Sequence, residues 1–226
     1  MADVFTVHAR TYDRARKNLI PCFDKFYSTP SKIIRAHCIN PKKCLDLGAG
    51  TGLLSAILMQ DFNIENLVLF DQSEAMLELG MKALSELPSL IAIIAKLQNI
   101  NDHPLSGKFD AIWSALAIHH LSASEKQQLF RDIYNQLKPG GIFVNADQSL
   151  GRTEQIEKIY RDQWLKEVQA CGVTEDDLSN SLERIKEDRM DTLEAQLGWL
   201  SEAGFSQVNV WFQDHSFNVY SGIRAS

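Results

Sequence analysis

The sequence predicts a doubly wound α/β sheet, and three observations carry that expectation. Short apolar runs near residues 44–47, 67–70, 90–95, 111–116 and 141–147 alternate with stretches of helical periodicity, as parallel strands joined by helical crossovers do. The first run enters a turn of three alternating glycines, Gly48, Gly50 and Gly52, after which Leu53-Leu54 opens a helix. The second run, Leu67-Val68-Leu69-Phe70, ends in Asp71, about 20 residues beyond that turn, so a carboxylate stands at the tip of the second strand.

The elements follow in order. Residues 1–40 form an N-terminal helical cover in which Pro21 resets the chain direction between two helices. Residues 41–149 form the core. Ser73 to Leu84 is helical after Asp71, which caps that helix, binds a ligand, or does both. Phe109 to Leu116 is the fourth strand and leads into Ile118-His119-His120-Leu121. Ser122 and Glu125 make a capping box for the next helix, whose Leu129, Ile133 and Leu137 face the core. Leu137-Lys138-Pro139-Gly140-Gly141 is a helix stop and glycine turn before the fifth strand. Residues 150–204 are a helical insertion, with helical spacing in Ile156, Tyr160, Trp164 and Val168 and again in Leu193, Leu197 and Leu200. Residues 205–226 close the sheet with strands at Val208–Phe212 and Phe217–Tyr220, making seven strands in one domain.

The glycine turn is a cofactor cradle, because only glycine lets a strand reverse so sharply with its backbone against a ligand. The following helix points free N–H groups at whatever sits there. Dinucleotide sites want a glycine three residues after the second one, and Leu53 stands at that position. Asp46, just before the turn, repels a pyrophosphate and suits a cofactor carrying an ammonium group. S-adenosylmethionine (SAM) has such a group and no phosphate.

Bulk properties exclude several classes. A chain of 226 residues with 45% hydrophobic and 23% charged residues buries one substantial core. Its net charge of −6, without a basic cluster, disfavours general binding to nucleic acid. Cys22, Cys38, Cys44 and Cys171 show no Cys-x-x-Cys spacing, so neither a zinc site nor a redox pair is indicated and no metal is expected. Scattered thiols suit a reducing cytoplasm, and no apolar run approaches the ~20 residues of a membrane span. The expected partner is a small-molecule substrate, with no membrane contact; a homodimer is compatible with a sequence that leaves the oligomeric state open.

The series Cys44-Leu-Asp-Leu-Gly-Ala-Gly-Thr-Gly52, the carboxylate Asp71, the fourth strand and Leu137 to Val144 resembles the class I SAM-dependent methyltransferases, with their Rossmann-like fold. The N-terminal Tyr12-Asp13, basic residues and Ile20-Pro21-Cys22-Phe23-Asp24 are similar to a bacterial and archaeal subgroup of them, so that the resemblance spans essentially the whole chain. It implies an antiparallel last strand and SAM as cofactor, with S-adenosylhomocysteine as product. Cofactor contacts are then expected from Asp46, Gly48, Ala49 and Gly50 on the first turn. Asp71, Gln72 and Met76 follow the second strand, where Asp71 accepts the ribose hydroxyls. Where the family carries an aspartate for the adenine amino group this chain has Asn99, whose carbonyl can still accept, with the Ile100 N–H beside it. Ala115 and Tyr12 complete the set, and Tyr12, Phe23 and Tyr27 form an aromatic cover.

A second resemblance is to the carboxy-SAM synthases of tRNA wobble-uridine modification, carried by the Ile-Pro turn, the helical insertion and Trp211-Phe212-Gln213. The resemblance implies a tyrosine after that turn, an arginine in the insertion and an asparagine on strand four. Phe23 and Ala115 stand at the first and last places, and Arg184 is only near the second, which argues against carboxyl transfer from prephenate.

In a methyl transfer the sulfonium methyl is already electrophilic, so alignment supplies much of the rate. His119 and His120 follow the fourth strand and are the candidate catalytic bases, with capping or packing as the plain alternative. Candidate substrate residues are Arg16 for a carboxylate, Tyr27, Asp147 at the end of the fifth strand, and Tyr160 and Trp164, which are packing anchors or part of a lid. Two other classes remain to be distinguished. A non-catalytic SAM-binding regulator would show no turnover with a panel of acceptors, and a nicotinamide oxidoreductase would bind NADH.

Overall fold

The computed structural model describes residues 16–37, 40–103, 105 and 107–225. Helix α1 (Phe23–His37) precedes β1 (Lys43–Leu47), α2 (Leu53–Leu58), β2 (Asn66–Asp71), α3 (Glu74–Ala83) and β3 (Ser89–Ile94). After a 3₁₀ segment at Leu97–Asp102 come β4 (Phe109–Ala115), a 3₁₀ turn at Ile118–His120, α4 (Ala123–Gln136) and β5 (Leu137–Gln148). The insertion holds α5 (Glu154–Ala170), α6 (Glu175–Ile185) and α7 (Leu193–Glu202), and β6 (Phe205–Asp214) and β7 (Phe217–Arg224) end the chain.

The seven strands form one sheet in the order β3-β2-β1-β4-β5-β7-β6. Pairings from β3 through β5 are parallel, and β7 runs antiparallel to both neighbours. Strand direction from β1 leads outward on one side to β2 and on the other to β4. That reversal leaves a crevice at the carboxyl ends of β1 and β4, where ligands bind in this architecture.

Period-two alternation divides the sheet between two cores. Cys44, Leu67, Leu69, Ala111, Trp113 and Val144 face one side, against Phe26, Ile33 and Ile34 of α1 and Leu54 and Leu58 of α2. Leu45, Leu47, Val68, Phe70, Ile112 and Phe143 face the other, against Leu129, Phe130 and Ile133 of α4 and Leu193 and Leu200 of α7. Parallel strands covered on both faces have to be nearly continuous apolar runs, and that is why these were conspicuous.

Three expectations are corrected. Lys138-Pro139-Gly140-Gly141 does not precede β5 but lies inside it, as a bulge between the Phe109–Leu137 and Ala111–Ile142 pairs, with Gly140 at φ 75°. The cap of α3 is Ser73, whose hydroxyl accepts the Met76 N–H; Asp71 lies before it. The insertion has three helices rather than two runs. Helix α6 fully buries only Ser181, yet Leu178, Leu182 and Ile185 lie at helical spacing and its Thr174 cap with Glu175, Asp176 and Asp177 marks its start. The expected capping box is present: Glu125 accepts from the Ser122 N–H at 2.8 Å and the Ser122 hydroxyl at 2.7 Å. Among the described residues no helix is long and apolar enough to cross a membrane.

Candidate active site

The glycine turn is stitched to β2, because the N–H groups of Gly48 and Ala49 both donate to Phe70 O, at 2.7 and 3.2 Å. Gly48 has φ 67°, and a Cβ on it would lie 2.2 Å from the Ala117 Cβ, so the β1 and β4 loops meet at van der Waals distance only because it is glycine. Gly50, at φ 53°, is the opposite case: a Cβ there meets nothing within 4 Å, because its backbone faces an open cleft. One oxygen of Asp71 accepts the Gly50 N–H and the other the Ser73 N–H, both at 2.8 Å. The carboxylate thus ties the turn to the tip of β2, and its remaining lone pairs can serve a ligand hydroxyl.

The cleft has a volume of about 220 Å³, and Gly48, Gly50, Asp71, Gln72, Met76 and Ala115, six of the residues expected to hold a cofactor, line it. Ala49 is buried under the turn. Asn99 lies exposed and Ile100 is fully buried in the second core, while Leu97 and Gln98 form that wall of the cleft. The 3₁₀ segment is broken at Asn99 (φ −99°, ψ 19°), so that Leu97 and Gln98 turn to the cleft while Ile100 turns into the core. Tyr12 lies outside the described residues. An open glycine backbone at Gly50 and a carboxylate at the tip of β2, in a cleft that Met76 and Leu97 also line, fit the adenosyl group and amino-acid tail of SAM.

Asp46 is not part of the cleft wall. It is 2% exposed beneath the turn and accepts from the Ser55 hydroxyl at 2.6 Å, which in turn accepts the Trp113 indole N–H at 3.1 Å. Burial raises its pKa from 3.8 to about 6, only partly offset by these hydrogen bonds. A pKa raised on folding means that the native state holds the proton more tightly. The contribution to stability is therefore fully present below pH 4 and is lost as pH rises through about 6, a cost on the order of 2–3 kcal/mol. Asp46→Asn is expected to raise the melting temperature of the ligand-free protein at pH 7.5 and to have little effect at pH 4.5. Equal destabilisation at both pH values, measured by calorimetry, would mean that Asp46 acts only as an acceptor for Ser55.

The histidine pair separates into two roles. His119 is 5% exposed and its Nδ1 lies 2.5 Å from Asp147 Oδ1, with Nε2 3.4 Å from Asp188 Oδ1. Burial alone would lower its pKa, but the charges of Asp147 and Asp188 hold it up to about 10. His120 Nδ1 lies 3.1 Å from the same Asp188 oxygen. Burial and the His119 charge push its pKa down. Burial opposes ionisation of Asp188, yet the two imidazoles hold its pKa at about 2.

This cluster is assembled from distant elements. Asp147, at the end of β5, is fully buried and also accepts the backbone N–H of His119 at 3.1 Å and of Gln148 at 2.9 Å. Asn145 donates to the Tyr220 hydroxyl, which donates to Gln196 on α7, both at 2.7 Å. Asp188 arrives on the loop after α6, which is clamped to the 3₁₀ turn by the Arg189 N–H donating to His119 O at 2.9 Å. The fully buried Lys126 of α4 pins the same loop, donating to Arg189 O and pairing with Asp191 at 2.7 Å.

A second cavity, of about 90 Å³, lies beyond the cofactor cleft, lined by Arg16, His119, His120, Trp164, Arg184 and Asp188 among others. Arg16, Leu116 and His120 line both spaces. Of the expected substrate residues, Arg16 and Trp164 face this cavity, and the Trp164 indole donates to Leu19 O at 2.9 Å, joining α5 to the N-terminal segment. Tyr160 faces a groove between α5 and α6, with its ring 5.5 Å from that of His215. Tyr27 is instead packed in the core with Phe26 and Phe217, since α1 turns that face to the sheet. Asp147 reaches the cavity only through His119. The sequence reading missed Asp188 and Lys126. Asp188 is hidden in the charge run Lys186-Glu187-Asp188-Arg189, which has the composition of a solvated surface, and a lysine on a helix gives no sign of being buried.

Comparison with known proteins agrees with this geometry. Residues 44–141 match the family model described as a methyltransferase domain. A carboxy-S-adenosyl-L-methionine synthase from Shewanella piezotolerans is 26% identical over 91% of this chain and 85% of its own length. Among solved structures, the apo form of the S-adenosylmethionine-dependent methyltransferase SibL superposes with a TM-score of 0.63 at 18% identity, covering 88% of this chain and 55% of that one. The present chain thus spans only about half of SibL. The DhpI–SAH complex superposes with a TM-score of 0.63 at 16% identity, over 96% of this chain and 92% of DhpI.

Proposed function

We propose that this chain, whose residues 44–141 match a methyltransferase domain, is a SAM-dependent methyltransferase and that the methyl group goes to a small acidic molecule bound in the cavity beyond the cofactor cleft. The observation that carries this reading is the shared wall: Arg16, Leu116 and His120 border both the cofactor cleft and a cavity into which Arg184 also projects. SAM supplies an electrophilic methyl group when bound. The chain's own residues do the rest. Two guanidinium groups favour a carboxylate or phosphate on the acceptor and fix its orientation. His120, common to both spaces, meets the acceptor's nucleophilic atom. Helices α5 and α6 and the N-terminal segment roof the cavity and limit water. Small acidic acceptors incubated with SAM should release S-adenosylhomocysteine, and Arg184→Ala should raise KM for them by roughly tenfold or more without changing SAM affinity. Turnover confined to uncharged acceptors would overturn the acidic class.

A second reading is carboxyl transfer to SAM itself, favoured by the Shewanella relative's name and by the position of Arg184 in the cavity wall. Against it stand Phe23, whose ring packs 4.6 Å from that of Tyr27 and offers no hydroxyl, and Ala115 in the cleft. Mass spectrometry of the spent cofactor separates the two: S-adenosylhomocysteine marks methyl transfer, and a carboxylated SAM marks the alternative.

The roof is also proposed to close on the cofactor. Hydrogen exchange is expected to slow in residues 16–27 and in α5 when S-adenosylhomocysteine is added. Protection restricted to the glycine turn and Asp71 would reduce both segments to static packing.

A further inference from the structure

We propose that His119, His120 and Asp188 are the ligands of a divalent first-row metal ion, of the zinc or manganese type, facing the acceptor cavity. The three groups present donor atoms within 4.8 Å of one another. Asp188 Oδ1 is 3.4 Å from His119 Nε2 and 3.1 Å from His120 Nδ1. Metal–ligand bonds of ~2.0–2.2 Å at tetrahedral or octahedral angles place neighbouring donors about 3.0–3.5 Å apart, so the carboxylate already stands at coordination spacing from both imidazoles. A small rotation of the rings, whose centroids are 4.0 Å apart, completes the triangle.

The surroundings are those of a metal centre. A ligating histidine typically gives its other ring N–H to a carboxylate, which fixes the tautomer and strengthens the ligand. Asp147 takes that place on His119 Nδ1 at 2.5 Å, and is itself held by two backbone N–H groups. Asp188 is held in place without help from the ion, through the Arg189–His119 backbone bond and the Lys126 clamp. Asp147 and Asp188 have side chains 0% and 6% exposed, so both carboxylates lie enclosed beside the imidazole pair, where a cation finds oxygen donors sheltered from water. Two imidazoles and one carboxylate leave open positions, and all three residues line the cavity, so a donor atom of the acceptor can complete the shell. Arg16 and Arg184 on the same wall then hold the acceptor's acidic group.

The test is titration of the chelator-stripped, tag-free protein with Co²⁺ and then with Zn²⁺. One Co²⁺ per chain is expected, with ligand-field absorption in the visible that Zn²⁺ abolishes. His120→Gln and Asp188→Asn should each weaken binding at least tenfold while circular dichroism stays unchanged. X-ray absorption of the zinc-loaded wild-type protein should show two imidazole nitrogens, a readout that needs no variant to fold. No uptake by the wild type, uptake unchanged in both variants, or an all-oxygen shell would overturn the proposal. None of these readouts uses methyl transfer, so a failure here leaves the reading of the acceptor cavity standing, and the reverse.

Discussion

Gly48→Ala is expected to abolish SAM binding and to destabilise the ligand-free protein, whereas Gly50→Ala should lose much of the binding at little cost in stability. The two glycines both have positive φ, 67° and 53°, so each alanine pays about 1 kcal/mol in backbone conformation. They differ in what the new methyl meets. At Gly48 it would lie 2.2 Å from the Ala117 Cβ, well inside contact distance, and the β1 and β4 loops have to separate. Overpacking of this kind costs about 1–3 kcal/mol more, and it opens the crevice that the two loops define. At Gly50 nothing lies within 4 Å, and the methyl projects into the cleft that the cofactor fills. Calorimetric SAM titration and thermal unfolding of both variants check this. Equal loss of stability in the two would show that backbone strain, not loop contact, explains the glycine at 48.

Which parts were legible in the sequence follows from how far the signal travels along the chain. The glycine turn, Asp71, Gln72 and Met76 are contiguous or nearly so, and a turn with positive φ at alternate residues leaves its mark in adjacent letters. Buried parallel strands are equally plain, because both faces are apolar. Edges are less so: β3 has the same composition as the central strands, yet Ile91 and Ile94 are 48% and 53% exposed, since no strand follows it in the sheet. Of the two acidic partners of the histidines, Asp147 stood out at the end of the fifth strand, whereas Asp188 was invisible. Asp188 lies 3.1 Å from His120 because the loop after α6 is docked on the 3₁₀ turn that follows β4, and Lys126 is buried beneath that loop, where it meets Arg189 O and the Asp191 carboxylate. Such long-range pairings depend on the docking of three helices, which no local period records. Asn99 and Ile100 fell outside the cleft lining because the kinked 3₁₀ segment presents Leu97 and Gln98 there and packs Ile100 into the core.

Neighbouring histidines should behave as opposites when removed. His119→Ala is expected to cost about 3–5 kcal/mol of stability, because it strips the buried Asp147 of its charged partner while the carboxylate stays enclosed. Backbone donors from His119 and Gln148 remain and offset part of that loss, so the lower end of the range is expected. His120→Ala removes a half-buried ring from the wall between two cavities and leaves the Asp147–His119 pair intact, so its cost in stability should stay near 1 kcal/mol. Its effect falls on turnover, where loss of a side chain touching the nucleophile lowers kcat by about 100-fold or more, with SAM affinity nearly unchanged. Asp188→Asn should reproduce the kcat loss in smaller measure, since the Arg189–His119 and Lys126 contacts still hold its loop. The comparison is decided by thermal unfolding, SAM calorimetry and single-turnover rates on the three variants. A stable His119→Ala protein would mean that water or a backbone donor satisfies Asp147. An active His120→Ala protein would mean that the acceptor meets the methyl from another wall of the cavity, and the shared wall would lose its place as the point of transfer.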